Sequence, residues 1–216
     1  RDFPGMTRGV EGEWRGGCVP GIARAGGDAV DWRGVPSHGW FCEVPRREGA
    51  VRGLPVTEGG NVLDDNLLAC SEAHIRRVFE MLSRQSNVML SGGLEAKRLA
   101  PWHVELFERA KVKEAFFAFD TLDDWEPLVQ AAEILKASEW YRPYKARCYI
   151  LCGYPGDTIQ AAEQRCLDTL RLGLYPFAMY YRDKEGKQTK DKDWTRFQTS
   201  WTRPAAINAT GRRLGR

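Results

Sequence analysis

The chain has 216 residues, of which 43% are hydrophobic and 28% are charged, and its formal net charge is +3. These values are ordinary for one globular domain with a sizeable core, and so small a charge does not by itself argue for nucleic acid. No apolar run approaches the roughly 20 residues that span a bilayer. The six scattered cysteines favour a reducing cytoplasm over a disulfide framework.

Composition divides the chain into three regions. Residues 1–60 are rich in Gly, Pro and Arg and show little periodicity, so we expect irregular structure that either wraps a ligand or is partly disordered. Residues 61–182 carry a regular α/β pattern, and residues 183–216 hold a C-terminal helix and tail.

From residue 61 onward, short apolar runs alternate with amphipathic segments. The runs predict strands at 61–63, 88–90, 115–119, 147–152 and 175–181. The amphipathic segments predict helices from Ser71 to Arg84, from Pro101 to about Lys111, and over 122–137 after a Thr121/Asp124 capping pair. The spacing of roughly 25–30 residues between strands favours βα repeats and a parallel sheet.

The segment 147–173 is the clearest βα unit. After the strand, Gly153-Tyr154-Pro155-Gly156 predicts a turn, and Asp157 with Gln160 forms a capping-box pattern for a helix that ends before Gly173. Glycines permit close approach of a ligand, and a helix start offers free N–H groups. An ordinary βα turn explains the same residues equally well.

Every predicted strand ends in small or acidic residues. In a parallel α/β sheet or barrel these carboxyl ends share one edge, where ligands bind. The candidates are Asp65 and Asn66 after the first strand, Ser91 to Glu95 after the second, Asp120 after the third, and the glycine turn after the fourth. For Asp65 and Asp120, a capping role is the alternative to ligand binding.

These strand-end sequences resemble radical S-adenosylmethionine proteins, in particular a little-characterised group often carried by phages and bacteria. The resemblance covers most of residues 40–207 and is carried by the following segments: TRG, FCEVPRREG, LDDNLLAC, SGGLEA, FAFDTLDD, RCYILCGYPGDT and LYPFAMYYRD. It implies a partial (β/α) barrel of parallel strands, a 4Fe-4S cluster and S-adenosylmethionine. Because the family's first strand precedes TRG, near which this sequence begins, the resemblance also implies a barrel that lacks its first strand. In such enzymes the cluster reductively cleaves S-adenosylmethionine to a 5′-deoxyadenosyl radical.

The resemblance also assigns cofactor-binding roles. Gly92, Gly93 and Glu95 match the segment that receives the methionyl amino group, and backbone carbonyls with a carboxylate suit an ammonium. Gly153, Pro155 and Gly156 match the turn near the adenine moiety. Asp65 and Asn66 match a strand end that lines the substrate side. The alternative for Glu95 is a solvated side chain in a βα turn.

The cluster loop departs from the family pattern of three cysteines spaced C-x3-C-x2-C. Cys42 matches the last cysteine, but Gly39 stands three residues before it. Cys18 can replace the first ligand at a much longer spacing, and His38 is a further candidate. Because thiolates hold these clusters, the expected metal ligands are Cys42 and Cys18 in a disrupted site.

Two other patterns are interpreted as structural. Cys148 and Cys152 lie along a strand and predict buried free thiols, not cluster ligands. Trp194, Phe197 and Trp201 recur at helical spacing and predict a packing stripe.

Three functions therefore remain open. The first is a radical S-adenosylmethionine enzyme of unknown substrate, served by a flavodoxin- or ferredoxin-type electron donor, with no membrane and no nucleic acid indicated as partners. The second is a barrel-derived binding protein without a cluster, or an inactive fragment. The third is another α/β nucleotide-binding protein that uses the same sheet edge.

Overall fold

A computed structural model describes residues 28–29, 32–33, 52–53, 55–63, 66–183, 186–188 and 191–215. Its strands include three two-residue segments that precede the predicted α/β region. In chain order the strands are β1 (Asp28–Ala29), β2 (Trp32–Arg33), β3 (Arg52–Gly53), β4 (Asn61–Val62), β5 (Met89–Leu94), β6 (Glu114–Phe119), β7 (Ala146–Cys152) and β8 (Tyr175–Tyr180).

The helices follow the strands as the hydrophobic periodicity predicts. They are α1 (Glu72–Leu82), α2 (Pro101–Arg109), α3 (Trp125–Lys136), α4 (Ile159–Leu172), α5 (Lys192–Thr202) and α6 (Pro204–Arg213). The Ser71 hydroxyl caps α1, and Thr121 with Asp124 forms the predicted capping box before α3. Gly173 ends α4 in the left-handed conformation, with a φ of 104°. No helix in the described ranges is long and apolar enough to cross a membrane.

The main sheet has six strands in the order β1-β4-β5-β6-β7-β8, and every neighbouring pair is parallel. Strands β2 and β3 form a separate antiparallel pair. From β4 to β8, each strand lies beside the next one in the chain. Because parallel crossovers are right-handed, this order puts the connecting helices on one face of the sheet. The prediction of an α/β fold with a parallel sheet is confirmed.

The two faces of the sheet differ in what they contact. Phe117, Cys148 and Ile150 are fully buried and belong to the main core with the helices. Phe116 and Leu151 are also buried but lie outside that core, as expected for side chains that alternate across a strand. The helix-covered face therefore forms the core, and the opposite face, here called the inner face, carries a second set of side chains.

The structure corrects two details of the sequence prediction. Ser91-Gly92-Gly93-Leu94 was expected to follow the second strand, but these residues continue β5 to its end, with a register shift between Leu90 and Leu94. One C-terminal helix and a tail were expected in residues 183–216, but Pro204 starts a second helix, α6. A proline favours a helix start because its missing N–H and fixed φ suit the first turn.

Candidate functional site

Asn66 and Glu95 lie together at the carboxyl edge of the sheet. The Asn66 side chain donates a hydrogen bond from Nδ2 to Glu95 Oε2 at 2.8 Å, and the Glu95 backbone N–H donates to Asn66 Oδ1 at 3.4 Å. Asn66 follows β4 and is buried, whereas Glu95 follows β5 and its side chain is 16% exposed. The fold thus joins two predicted site residues that are 29 positions apart.

Two cations also contact the Glu95 carboxylate. Lys97 Nζ lies 2.5 Å from Oε1, and Arg98 Nε lies 2.5 Å from Oε2. Burial alone would raise the pKa of Glu95, but the hydrogen bonds from Lys97, Arg98 and Asn66 outweigh it and hold the pKa below its usual value. Glu95 is therefore a carboxylate at neutral pH. Lys97 and Arg98 are 54% and 38% exposed, so both cations that pair with Glu95 are accessible to solvent.

Gly93, near the end of β5, has a left-handed backbone conformation. Its φ is +88°, a value that residues with a side chain rarely adopt. A Cβ at this position would lie 3.9 Å from the Tyr149 ring. Tyr149 donates from its hydroxyl to the Ser91 carbonyl at 3.0 Å, and Ser91 donates to Asn61 Oδ1 at 2.7 Å. This chain of hydrogen bonds links β7, β5 and β4 beside the glycines. Glycine is needed at position 93 for its backbone conformation.

An aromatic cluster occupies the inner face of β6, β7 and β8. The Phe116 and Tyr149 rings stack with centroids 4.7 Å apart, and Phe177 meets Tyr149 edge-on at 5.7 Å. The Arg147 guanidinium lies over the Phe116 ring at 5.0 Å and over the Phe177 ring at 5.4 Å. Stacked rings and a guanidinium of this kind form a rigid platform.

Arg147 also forms an ion pair on this face. Its Nη1 lies 2.9 Å from Glu114 Oε2, and its side chain is 10% exposed. Its Nε has no hydrogen-bond partner among the residues that the structure describes. Arg147 and Glu114 lie at the start of their strands, away from Glu95, so they support the platform from the opposite edge. This cluster was not predicted, although a polar and an aromatic residue at alternate positions 147 and 149 of an apolar strand indicate a second, less apolar face.

The glycine turn after β7 is explained by internal packing and by its backbone conformation. Gly153 has a φ of +73°, and a Cβ there would lie 2.4 Å from the Tyr180 ring. Gly156 has a φ of +88°, with nothing within 4 Å of a Cβ. Position 153 therefore excludes a side chain because Tyr180 fills the space, whereas position 156 needs glycine only for its backbone. Pro155 lies between them and is exposed.

Asp157 holds this turn, in a role that differs from the predicted helix cap. The N-cap of α4 is Thr158, whose hydroxyl accepts from the Ala161 N–H at 3.2 Å. Asp157 instead accepts from the Gly153 N–H at 2.8 Å and pairs with Arg165 at 2.8 Å. Arg165 also donates to the Leu151 carbonyl at 3.0 Å. The predicted Asp157/Gln160 capping box is wrong because the carboxylate bonds back to the turn.

The described cysteines do not form a metal site. Cys70, Cys148, Cys152 and Cys166 are buried free thiols, as predicted for Cys148 and Cys152. Burial raises the pKa of Cys152 to about 12 and raises those of Cys148 and Cys166 well above their usual value. In the part of the chain that the structure describes, no group of three or more His, Cys, Asp and Glu residues could hold a metal ion.

Several predicted residues lie outside the described ranges: Cys18, His38, Cys42 and Asp65. The described ones, Asn66, Gly92, Gly93, Glu95 and the glycine turn, all follow or end parallel strands of one sheet. Their strands β5 and β7 are separated by β6, which corresponds to roughly 10 Å. The carboxyl edge therefore gathers them on one side of the molecule.

A scan against protein-family models, a search of curated proteins and a search of solved structures each gave no match to this chain.

Proposed function

We propose that this chain is a radical S-adenosylmethionine-type enzyme that binds S-adenosylmethionine at the carboxyl edge of its parallel sheet. The observation that carries the proposal is the Asn66–Glu95 pair beside Gly92 and Gly93, at the end of β5. A parallel sheet whose strands follow chain order, with helices on one face, supports a partial barrel. The substrate is not specified by these residues.

The chemistry of the donor set fits the methionyl end of the cofactor. An anionic carboxylate at Glu95 and the backbone carbonyls of Gly92 and Gly93 suit an ammonium group, which donates three hydrogen bonds. Asn66 holds the Glu95 carboxylate in position through its 2.8 Å hydrogen bond. Gly153, Pro155 and Gly156 would border the adenine, and Asp65 the substrate, as the resemblance implies.

The 4Fe-4S cluster does not fit the described residues, which offer no group of metal ligands. Its proposed ligands, Cys42 and Cys18, lie outside the described ranges. When bound, it would supply the electron that cleaves S-adenosylmethionine, delivered by a flavodoxin- or ferredoxin-type donor.

A second function is favoured by the cysteines. Because Cys70, Cys148, Cys152 and Cys166 are buried free thiols, the described part of the chain has the sheet edge but offers no substitute for the cluster ligands that the family pattern expects. This favours a barrel-derived protein that binds S-adenosylmethionine without a cluster.

Calorimetry with three ligands tests the binding site. S-adenosylmethionine and S-adenosylhomocysteine both carry the amino group of their amino-acid moiety, whereas 5′-methylthioadenosine lacks this moiety. We expect Glu95→Gln to weaken the first two by about tenfold or more and to leave the third unchanged, because a charge-assisted hydrogen bond is lost. Glu105→Gln, at an exposed position on α2, is the matched control. Absence of S-adenosylmethionine binding to the native chain would end both functions.

Anaerobic reconstitution with iron and sulfide separates the two functions. An enzyme requires about four irons per chain, with charge-transfer absorbance that Cys42→Ser abolishes. Iron well below that level, together with retained S-adenosylmethionine binding, would leave only the cluster-less binding protein.

A further inference from the structure

Helix α5 carries a basic surface that lies beside the end of β8, where Gln188 Nε2 donates to the Tyr180 carbonyl at 3.4 Å. An open groove of about 940 Å³ runs beside this helix. Every residue that lines it is of a polar or charged type. These residues are Lys187, Gln188, Asp191, Lys192, Thr195, Arg196, Thr199, Ser200 and Arg203. We call this surface the α5 groove. Four of its residues are cations and one is an anion, although the whole chain is close to neutral.

The cations of the α5 groove are available to a partner. Lys187, Lys192, Arg196 and Arg203 are exposed, and none of them forms an ion pair with any described residue. The single anion, Asp191, is already occupied, because its Oδ1 accepts from the backbone N–H groups of Asp193 and Trp194. The positive charge of the groove is therefore not neutralised within the described chain.

The spacing of these cations places them along one side of α5. Lys192 and Arg196 are four residues apart and share a face of α5, and Arg203, the residue that ends the helix, lines the same groove. At 1.5 Å per residue, they extend over roughly 16 Å. The opposite side of α5 is committed to packing, since Phe197 and Trp201 are buried and Trp194 stacks on Tyr180 at 6.0 Å.

We propose that the α5 groove binds the sugar–phosphate backbone of a duplex nucleic acid. Duplex DNA presents about one negative charge per 1.7 Å of its axis, so a basic strip of this length faces several phosphates. Hydroxyls lie between the cations at Thr195, Thr199 and Ser200, and Ser, Thr, Lys and Arg are the side chains that usually contact phosphates.

The composition of the groove disfavours other anionic partners. Protein interfaces depend on aromatic, Met or other apolar anchors, and membrane-surface helices need an exposed apolar face. Single strands need rings on which bases stack. None of the nine lining residues is aromatic or aliphatic. Contacts to phosphates carry no sequence information, so the proposed binding is independent of sequence.

Fluorescence anisotropy with labelled duplexes tests this proposal. We expect the native chain to bind duplex DNA with a dissociation constant of about 10⁻⁴–10⁻⁶ M at physiological salt. With up to four phosphate contacts, log K should fall against log salt with a slope of about −3 to −4. Duplex RNA of the same sequence is a second arm, which distinguishes the two sources of the phosphate backbone.

Charge reversal provides the matched comparison. The variant K192E/R196E/R203E should bind at least tenfold more weakly and lose most of its salt dependence. The control R77E/R109E/K136E reverses three exposed cations on α1, α2 and α3, so it has the same net charge but should bind as the native chain does. Circular dichroism checks that both variants fold, and K192Q/R196Q/R203Q replaces the first if it does not.

Three outcomes would overturn the proposal. The first is that the native chain binds neither the DNA duplex nor the RNA duplex. The second is equal loss of affinity in the two charge-reversed variants, which would indicate a nonspecific effect of net charge. The third is tighter binding of single strands, of polyglutamate or of anionic vesicles than of duplexes. Because S-adenosylmethionine binding is measured separately, the proposed function can fail while the α5 groove proposal stands.

Discussion

Arg165 on α4 and Asp157 in the turn before it form a buried ion pair, with 2.8 Å between Nη2 and Oδ2. The Asp157 side chain is 1% exposed and that of Arg165 is 10% exposed. Asp157 also accepts the Gly153 N–H, and Arg165 donates to the Leu151 carbonyl. The pair therefore fixes the turn to the end of β7 and to the following helix.

Removal of the carboxylate should destabilise the chain strongly. Asp157→Ala leaves the Arg165 charge buried without its partner, which typically costs about 3–5 kcal/mol in the free energy of unfolding. Urea denaturation measures this loss. Asp168→Ala is the control, because Asp168 on α4 pairs with Arg171 where the two side chains are 36% and 52% exposed, and this change should cost less than about 1 kcal/mol. Equal losses in the two variants would contradict the buried role of Asp157.

The two glycines of this turn should respond differently to a methyl group. In Gly156→Ala the added Cβ has no neighbour within 4 Å, so only the strain of the left-handed backbone conformation remains. This strain should lower the free energy of unfolding by about 1 kcal/mol. Gly153→Ala adds a Cβ 2.4 Å from the Tyr180 ring and should cost roughly 2–4 kcal/mol.

Urea denaturation of both glycine variants, with the native chain as reference, checks this order. A Gly153→Ala variant as stable as Gly156→Ala would show that Tyr180 yields without cost. The packing explanation for Gly153 would then be wrong.

The parallel sheet could be predicted because its causes are local. Apolar runs and amphipathic segments follow short-range periodicities, and Ser71, Thr121 and Gly173 act at helix ends as their neighbours in sequence predict. Asp157 shows the limit of such patterns. It stands where a cap is expected, but Thr158 beside it caps the helix, because Arg165 and the Gly153 N–H compete for the carboxylate.

The candidate site depends on contacts that local patterns do not contain. Glu95 was predicted from its strand end, but its bond to Asn66 joins residues 29 positions apart. The requirement for glycine at 153 comes from Tyr180, which belongs to the next strand. The stacking of Arg147 on Phe116 likewise needs the register of β6 against β7. Such relationships follow from strand order and register, which periodicity alone does not specify.

The buried thiols should be inert in the native chain. Burial raises the pKa of Cys152 to about 12 and also raises the pKa values of Cys148 and Cys166, so almost no thiolate is present at neutral pH. In a C18S/C42S variant, a thiol-specific disulfide reagent should leave these three cysteines unmodified, as measured by mass spectrometry of peptides. Modification of all three in urea is the control. Rapid native labelling of Cys148 would contradict its burial on the helix-covered face.

His103 should make the stability of the chain depend on pH below neutrality. Its ring is buried and its Nδ1 accepts from the Ala100 N–H at 2.9 Å. Burial lowers its pKa from 6.5 to about 4. The unfolded chain therefore binds a proton near pH 6.5 that the folded chain does not bind until about pH 4.

The contribution of the neutral His103 ring to the free energy of unfolding should accordingly be fully present above pH 6.5. It should decrease as the pH falls toward 4. For this group alone the loss between pH 7 and pH 5 is roughly 2 kcal/mol. His103→Asn keeps an acceptor for the Ala100 N–H without a titrating ring. It should therefore be less stable at pH 7 but show a flatter profile across this range. Parallel profiles for the native chain and His103→Asn in urea denaturation would rule out His103 as the source of this pH dependence.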